Sequence, residues 1–222
     1  MISKIKKTII KYRHGWVLLY FFIYMPWFMY LEKTTDKLHY YVMEAKIDKF
    51  IPFNEYFIIP YMLWFFLVAG VVLYFLFKDK EAFYRTTAFL FIGMTICLFI
   101  CTIFPNGQHL RPVVFQRNNV FVDMVKQLYA SDTPTNVFPS IHVFNSIGIS
   151  IGVAHSECFK TKPITRYFVY ALSFLIILST MFLKQHSFLD VIGALVLSVF
   201  MYALIYGIMF AGNKRTVGKV VD

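Results

Sequence analysis

Charged residues and cysteines are both scarce in this sequence. Charged residues occupy 15% of the 222 positions, whereas hydrophobic residues occupy 59% and aromatic residues 20%. A soluble domain of this size would need many more charges on its surface, so the composition predicts an integral membrane protein. The three cysteines form no CxxC pair, and two of them lie in apolar segments, which favours small buried side chains over a disulfide or thiol role (Cys97, Cys101 and Cys158).

Internal repeats, low-complexity tracts and long Pro/Gly/Ser linkers are also missing, so we expect residues 1–222 to form a single all-α domain. A bilayer core of ~30 Å requires about 20 apolar residues per helix. Six segments approach or reach that length and predict a six-helix membrane bundle, with spans at residues 15–31, 57–77, 84–104, 138–155, 167–183 and 189–210. No small-residue cleavage site follows the first segment, which we expect to be a retained anchor.

Acidic residues are few, with 12 Asp and Glu against 22 Lys and Arg and a net charge of +10. If all six segments cross the membrane, 14 of the 22 basic residues fall on the side of the two termini. The positive-inside rule then places both termini in the cytoplasm and explains the basic charge without a nucleic-acid partner. A compact chain without eukaryotic targeting signals favours a bacterial cell membrane. The sequence carries no sign of an oligomeric state.

The connection formed by residues 105–137, on the predicted outer side, contains an amphipathic pattern. Phe121, Met124, Val125 and Leu128 recur at helical spacing, with polar residues on the opposite face. The pattern predicts a short helix at the membrane interface. Such a helix can simply pack on the surface, or it can form a lid or wall where lipid enters.

Three polar motifs lie on this outer side: IFPNGQHLRPVVF, FPSIH and KQHSFLD. In the last motif, His186 and Asp190 are four residues apart and share one face if a helix begins near His186. The carboxylate can then accept a hydrogen bond from one imidazole nitrogen and leave the other free to act as a nucleophile or general base. The alternative is a structural ion pair that caps the helix.

The FPSIH motif places Ser140 and His142 at the start of an apolar helix. A proline near the first helical position leaves unpaired N–H groups and a positive dipole end, which favour anion binding. His142, in the first turn, can then donate a proton beside a bound anion. Gly148 and Gly152 have the GxxxG spacing, which predicts close helix packing rather than chemistry.

Two basic residues extend the set of candidates. Arg111 has the fork of donors that suits a phosphate, although an arginine in an outer loop can equally contact lipid headgroups. Lys184 lies two residues before His186 and can contact phosphate or extend to the headgroups. No spacing predicts a metal site, and no cofactor is expected.

An RP pair, then PSxH, then HxxxD follow one another between residues 104 and 193. This order resembles the type 2 phosphatidic acid phosphatase superfamily of membrane lipid phosphatases and phosphotransferases. The resemblance implies that His186 is the nucleophile, that Asp190 orients it and that His142 protonates the leaving group. It also implies that Arg111 and Ser140 contact the phosphate.

The chain departs from the family pattern at two cations. Phe104 stands where the family usually has a lysine, and Ser179 and Thr180 stand where it usually has serine-arginine. This divergence resembles the branch that includes sphingomyelin and inositol-phosphorylceramide synthases. Lys184 is the residue that can compensate for the loss.

These patterns predict a metal-independent membrane lipid phosphatase. It would hydrolyse a phosphomonoester or diphosphate lipid at the outer leaflet through a phosphohistidine intermediate, with the lipid substrate and the bilayer as its partners. A lipid phosphotransferase that moves a phospho-headgroup to a lipid alcohol needs the same residues and is an alternative. A non-catalytic lipid-binding or transport protein on the same fold is a further alternative.

Overall fold

The computed structural model describes residues 10–209, which are mostly helical. In this described part of the chain, four helical stretches are long and apolar enough to cross a membrane: Glu55–Lys78, Lys80–Ile103, Pro163–Phe182 and Phe188–Met209. Among the described residues, the regular structure other than helix is one pair of two-residue strands, which the sequence did not indicate. The chain is therefore mainly helical, as its composition predicted.

Among residues 10–209, eight α-helices follow one another: Phe21–Thr34 (α1), Ile58–Lys78 (α2), Lys80–Ile103 (α3), Val120–Ser131 (α4), Ile141–His155 (α5), Glu157–Lys160 (α6), Pro163–Phe182 (α7) and Phe188–Tyr202 (α8). A 3₁₀ helix, Arg13–Tyr20, leads into α1, and a π-helical segment, Ala203–Met209, extends α8. The connection between α1 and α2 contains three 3₁₀ turns, Thr35–Lys37, Lys46–Lys49 and Glu55–Phe57. Its strand Tyr41–Val42 (β1) pairs in parallel with Asn106–Gly107 (β2).

Three of the six predicted segments differ in form from one long α-helix. Segment 189–210 is α-helical only to Tyr202 and π-helical from Ala203 to Met209. Residues 15–31 are divided between the 3₁₀ helix and α1. Segment 138–155 becomes helical only at Ile141, because Pro139 has no N–H to donate and Ser140 caps the helix, so α5 has 15 residues. The termini predicted to be cytoplasmic, residues 1–9 and 210–222, lie outside the described residues.

A helix, α4, forms where the connection 105–137 has its amphipathic pattern, but its buried face is turned slightly from the predicted one. Val125 is fully buried, and Phe121 and Leu128 pack beside it. Met124 is 37% exposed, whereas Val122 is 1% exposed. The difference arises because α4 packs against the start of α2.

Helix α5 lies at the centre of the bundle, in contact with α2, α3, α7 and α8. Phe144 of α5 stacks on Phe89 of α3 with ring centroids 4.9 Å apart. A Cβ added at Gly148 would lie 2.7 Å from Phe89, and one at Gly152 would lie 2.4 Å from the Thr86 hydroxyl. Both glycines of the GxxxG pattern therefore allow α3 and α5 to approach closely.

Replacing Gly148 with leucine should lower the melting temperature of the protein in detergent. The side chain would push α5 away from α3, and overpacking of this kind typically costs about 1–3 kcal/mol. Gly70 of α2 is the matched control, since no described atom beyond its chain neighbours and the nearby backbone of its own helix lies within 4 Å of a Cβ placed there. Equal melting temperatures for Gly148→Leu and Gly70→Leu would contradict this account of the helix contact.

The connections between the helices gather at two opposite ends of the bundle. At one end, Ser156 Oγ donates to Asp79 Oδ2 at 2.8 Å and joins the connection after α5 to the start of α3. At the other end, Asn54 N donates to Phe182 O at 3.0 Å, and β1 pairs with β2. All three polar motifs singled out in the sequence lie at this second end.

Candidate active site

The turn between α7 and α8 carries His186 and Asp190. His186 Nδ1 lies 3.3 Å from Asp190 Oδ2, and the same oxygen accepts a hydrogen bond from the Ser187 N–H at 2.9 Å. The contact forms although α8 begins at Phe188, two residues after His186, because Asp190 is the third helical residue and folds back onto the turn before it. His186 is 8% exposed and Asp190 is fully buried, so the imidazole is held in place.

His142 lies beside this pair, in the first turn of α5. Its ring centroid is 5.9 Å from that of His186. On its other sides, the ring stacks on Tyr61 at 4.6 Å and contacts Trp64 at 4.3 Å, both from α2. The fold therefore brings together two histidines that are far apart in the sequence, against an aromatic wall.

Ser140 links the two histidine motifs through its main chain. Its N–H donates to Asp190 O at 3.2 Å. Its hydroxyl accepts from the Val143 N–H at 3.4 Å and caps α5, and the residue is fully buried. Ser140 thus fixes the start of α5 against the start of α8.

Arg111 reaches the same end of the bundle, where its guanidinium is largely bound by carbonyl groups. Nη1 donates to Asp132 O at 2.8 Å and to Tyr129 O at 3.3 Å, and Nη2 donates to Thr133 O at 3.1 Å and to Gln185 Oε1 at 2.5 Å. Burial lowers the pKa of Arg111 from its ordinary value, and the Asp132 carboxylate opposes that effect. Arg111 therefore holds the connection after α4 to the residue next to His186, and its contact with phosphate stays a prediction.

Lys184 is also engaged by the protein. Its ammonium group donates to Asp48 O at 2.7 Å and to Ile51 O at 2.5 Å, which uses two of its three N–H groups. Burial lowers the pKa of Lys184, and the Asp48 carboxylate partly opposes this. Lys184 thus places a positive charge two residues from His186 while it binds the connection between α1 and α2.

The two positions that lack family cations carry no charge and have structural partners. Phe104 stacks on Tyr41 with ring centroids 4.6 Å apart. Thr180 is fully buried, and its hydroxyl donates to Ile177 O at 2.8 Å. Neither position therefore supplies positive charge near the histidines.

Asn106 joins the segment after α3 to the segment before α5, and the sequence analysis did not single it out. Its side-chain oxygen accepts from the Val137 and Phe138 N–H groups at 2.9 Å and 2.8 Å, and its amide donates to Phe104 O at 2.8 Å. Its neighbour Gln108 donates to Lys184 O at 2.9 Å. Both side chains are fully buried. Polar amides between apolar runs, in NGQ, were the available signal.

Asp132 is a further residue that the sequence did not single out. Its Oδ2 accepts from Gln185 Nε2 at 3.0 Å and from the Tyr61 hydroxyl at 3.4 Å, so it lies between the turn of His186 and the wall of His142. Burial, and then the nearby Glu32, raise the pKa of Asp132 to about 6, against the lowering effect of Arg111. No pattern in the sequence indicated that this carboxylate lies at the site.

The stability of the protein should depend on pH through Asp132. An aspartate ordinarily has a pKa near 4, so a value of about 6 means that the folded state disfavours its charge. This contribution makes stability fall as the pH rises from about 4 to about 6, and the loss persists above that window. Asp132→Asn should remove this part of the curve of melting temperature against pH, whereas Asp123→Asn, on the exposed face of α4, should not. A curve for Asp132→Asn parallel to that of the wild type would contradict the assignment.

Within residues 10–209, no group of three or more His, Cys, Asp or Glu side chains is arranged to hold a metal ion.

The described residues form a mainly helical chain with four helical stretches long and apolar enough to cross a membrane, and they place two histidines side by side at one end. The PAP2 superfamily matches residues 87–214, which is more than half of the chain and includes all three motifs. The chain belongs to the PAP2 superfamily, as the resemblance in its motifs suggested. Neither a curated protein nor a solved structure matches it.

Proposed function

We propose that the protein is a membrane lipid phosphatase that cleaves a lipid phosphate through a phosphohistidine at His186. The observation that carries the proposal is the contact of 3.3 Å between His186 and Asp190, with the His142 ring 5.9 Å from that of His186. A nucleophile oriented by a carboxylate, beside a second imidazole, suits in-line displacement at phosphorus. Membership of the superfamily supports this chemistry, because its members are generally phosphatases or phosphotransferases.

In the first step, Asp190 accepts the Nδ1–H of His186 and keeps Nε2 unprotonated. Nε2 attacks phosphorus and forms a P–N bond while the P–O bond to the lipid breaks, and His142 donates a proton to the departing oxygen. In the second step, water attacks phosphorus, the P–N electron pair returns to His186, and His142 takes a proton from the water. The products are phosphate and the dephosphorylated lipid, with both histidines restored.

The phosphate would lie at the start of α5. The first N–H groups of a helix have no partner within it, and the helix dipole is positive there. Ser140 holds this helix start beside Asp190. Arg111 and Lys184 would add positive charge at the same end, which favours the developing charge on the phosphoryl oxygens.

A lipid phosphotransferase is the second candidate, and the uncharged positions Phe104 and Thr180 favour it. They resemble the branch of the family that moves a phospho-headgroup to a lipid alcohol. In that reaction an alcohol replaces water in the second step, while His186, His142 and Asp190 keep their roles.

We further propose that all six apolar segments cross a bacterial cell membrane and that the site faces the outer leaflet. The site lies at the end of the bundle opposite the bond between Ser156 and Asp79. Lys and Arg are in excess in the segments at the end of the bundle that carries Ser156 and Asp79, which supports a cytoplasmic location for that end.

The proposal is tested by incubating the purified protein with phosphatidic acid, phosphatidylglycerol phosphate and a polyprenyl diphosphate. Each lipid is supplied with and without a lipid alcohol, in the presence of a chelator. Phosphate release supports a phosphatase, and headgroup transfer without release supports a transferase. Absence of turnover with every lipid would favour a non-catalytic lipid-binding protein, and loss of activity with the chelator would contradict the metal-independent mechanism.

A further inference from the structure

The turn that carries His186 is held from outside by Asp48, in the connection between α1 and α2. Asp48 Oδ2 accepts from the Ser187 hydroxyl at 2.6 Å, and Oδ1 accepts from the Phe188 N–H at 2.8 Å. The carbonyl oxygen of Asp48 accepts from Lys184 Nζ at 2.7 Å. One residue of a distant segment therefore binds the chain on both sides of His186.

Asp48 is well suited to hold this turn firmly. It is 2% exposed, and Oδ2 also accepts from the Ala45 N–H at 2.7 Å, which fixes the carboxylate within its own 3₁₀ turn. Hydrogen bonds to an ionised carboxylate are stronger than those between neutral groups. A buried carboxylate with partners on both oxygens leaves the turn little freedom.

The segment that presents Asp48 is itself anchored to the rest of the site. Strand β1 pairs with β2, and the Met43 N–H donates to Gly107 O at 2.7 Å. Glu44 Oε1 accepts from the His109 N–H at 2.8 Å. Asp48 is therefore held by a framework that is continuous with the connection after α3.

We propose that Asp48 is a positioning residue for the reaction at His186. The inference rests on the proposed function and adds a residue from outside the three motifs to it. From one side, the His186 N–H donates to Thr180 O at 3.0 Å. From the other side, Asp48 fixes Ser187 and Phe188. Asp48 thereby sets the direction in which His186 presents its free nitrogen to phosphorus.

The chain offers a matched control in Glu55. This residue lies in the same connection, is 3% exposed, and accepts from Arg117 Nη1 at 3.2 Å and from Asn119 Nδ2 at 3.1 Å. Glu55 is thus a second buried, hydrogen-bonded carboxylate at the same end of the bundle. Its side chain binds the segment before α4 rather than the turn of His186.

The test compares Asp48→Asn with Glu55→Gln in two measurements. In the first, kcat and KM are determined for a lipid phosphate. We expect kcat to fall about 10²-fold in Asp48→Asn with little change in KM, since a shift of about 1 Å at the reacting atoms has that effect. Glu55→Gln should keep kcat near the wild-type value even if its melting temperature falls as much. Ser187→Ala, which removes one of the contacts, should show a smaller loss of kcat that does not add to that of Asp48→Asn.

The second measurement does not depend on activity. In ¹⁵N-histidine NMR spectra, the Nδ1–H of His186 bound to Asp190 should be observed in the wild type and in Glu55→Gln, and lost or shifted in Asp48→Asn. Equal loss of kcat in the two carboxylate variants, or an unchanged His186 signal in Asp48→Asn, would overturn the proposal. If the wild type turns over no lipid phosphate, the proposed function fails, and the NMR comparison alone decides whether Asp48 positions His186.

Discussion

Replacing His186 with alanine should abolish turnover of the lipid phosphate, with a loss of at least about 10⁴-fold in kcat, because removal of the attacking group eliminates the covalent route. The fold should survive, since the His186 main chain keeps its bond to Thr180. A labelled phosphoenzyme, stable to base and labile to acid, should be trapped in the wild type and be missing from the variant.

The exposed residue His39 provides the control for this experiment. His39→Ala should keep both turnover and the trapped phosphoenzyme. Residual activity of His186→Ala within tenfold of the wild type, or a phosphoenzyme that survives the substitution, would exclude His186 as the nucleophile.

Replacing His142 with alanine should lower kcat by about 10²- to 10⁴-fold, the usual contribution of a proton donor. This loss should shrink when the lipid leaving group is replaced by p-nitrophenol, whose oxygen departs without a proton. The measurement is the ratio of wild-type to variant kcat for the two kinds of substrate.

The two histidine variants therefore act as controls for each other. His186→Ala should stay inactive with the p-nitrophenyl substrate, because the nucleophile is still needed. Tyr61→Phe keeps the ring that stacks on His142, so its activity should remain close to that of the wild type. An equal loss with both leaving groups in His142→Ala would contradict the role of proton donor.

The helices and the contact of His186 with Asp190 were predictable from the sequence because they depend on local patterns. Apolar length predicted the helical stretches, and the spacing of His186 and Asp190 predicted their contact. The position of α5 was less predictable, since Pro139 and Ser140 delay the start of the helix until Ile141. The length of an apolar segment can be read from the sequence, whereas the residue at which its helix begins can be read only in part.

The partners of the charged residues were not predictable because they depend on tertiary structure. Arg111 binds main-chain carbonyls of the connection after α4, and backbone acceptors have no signature in a sequence. Asp48 and Asp132 reach the site from distant segments, so no spacing relates them to His186. The pairing of β1 with β2 involves two residues on each side, too few for a periodic pattern.

The bond from the Ser140 N–H to Asp190 O has a practical consequence for dissecting the reaction. It uses only main-chain atoms, so truncating either imidazole leaves it intact. The relative position of the starts of α5 and α8 therefore does not depend on the histidine side chains. Each histidine can be removed without displacing the other, and the two kinetic defects can be attributed to separate chemical roles, that of nucleophile and that of proton donor.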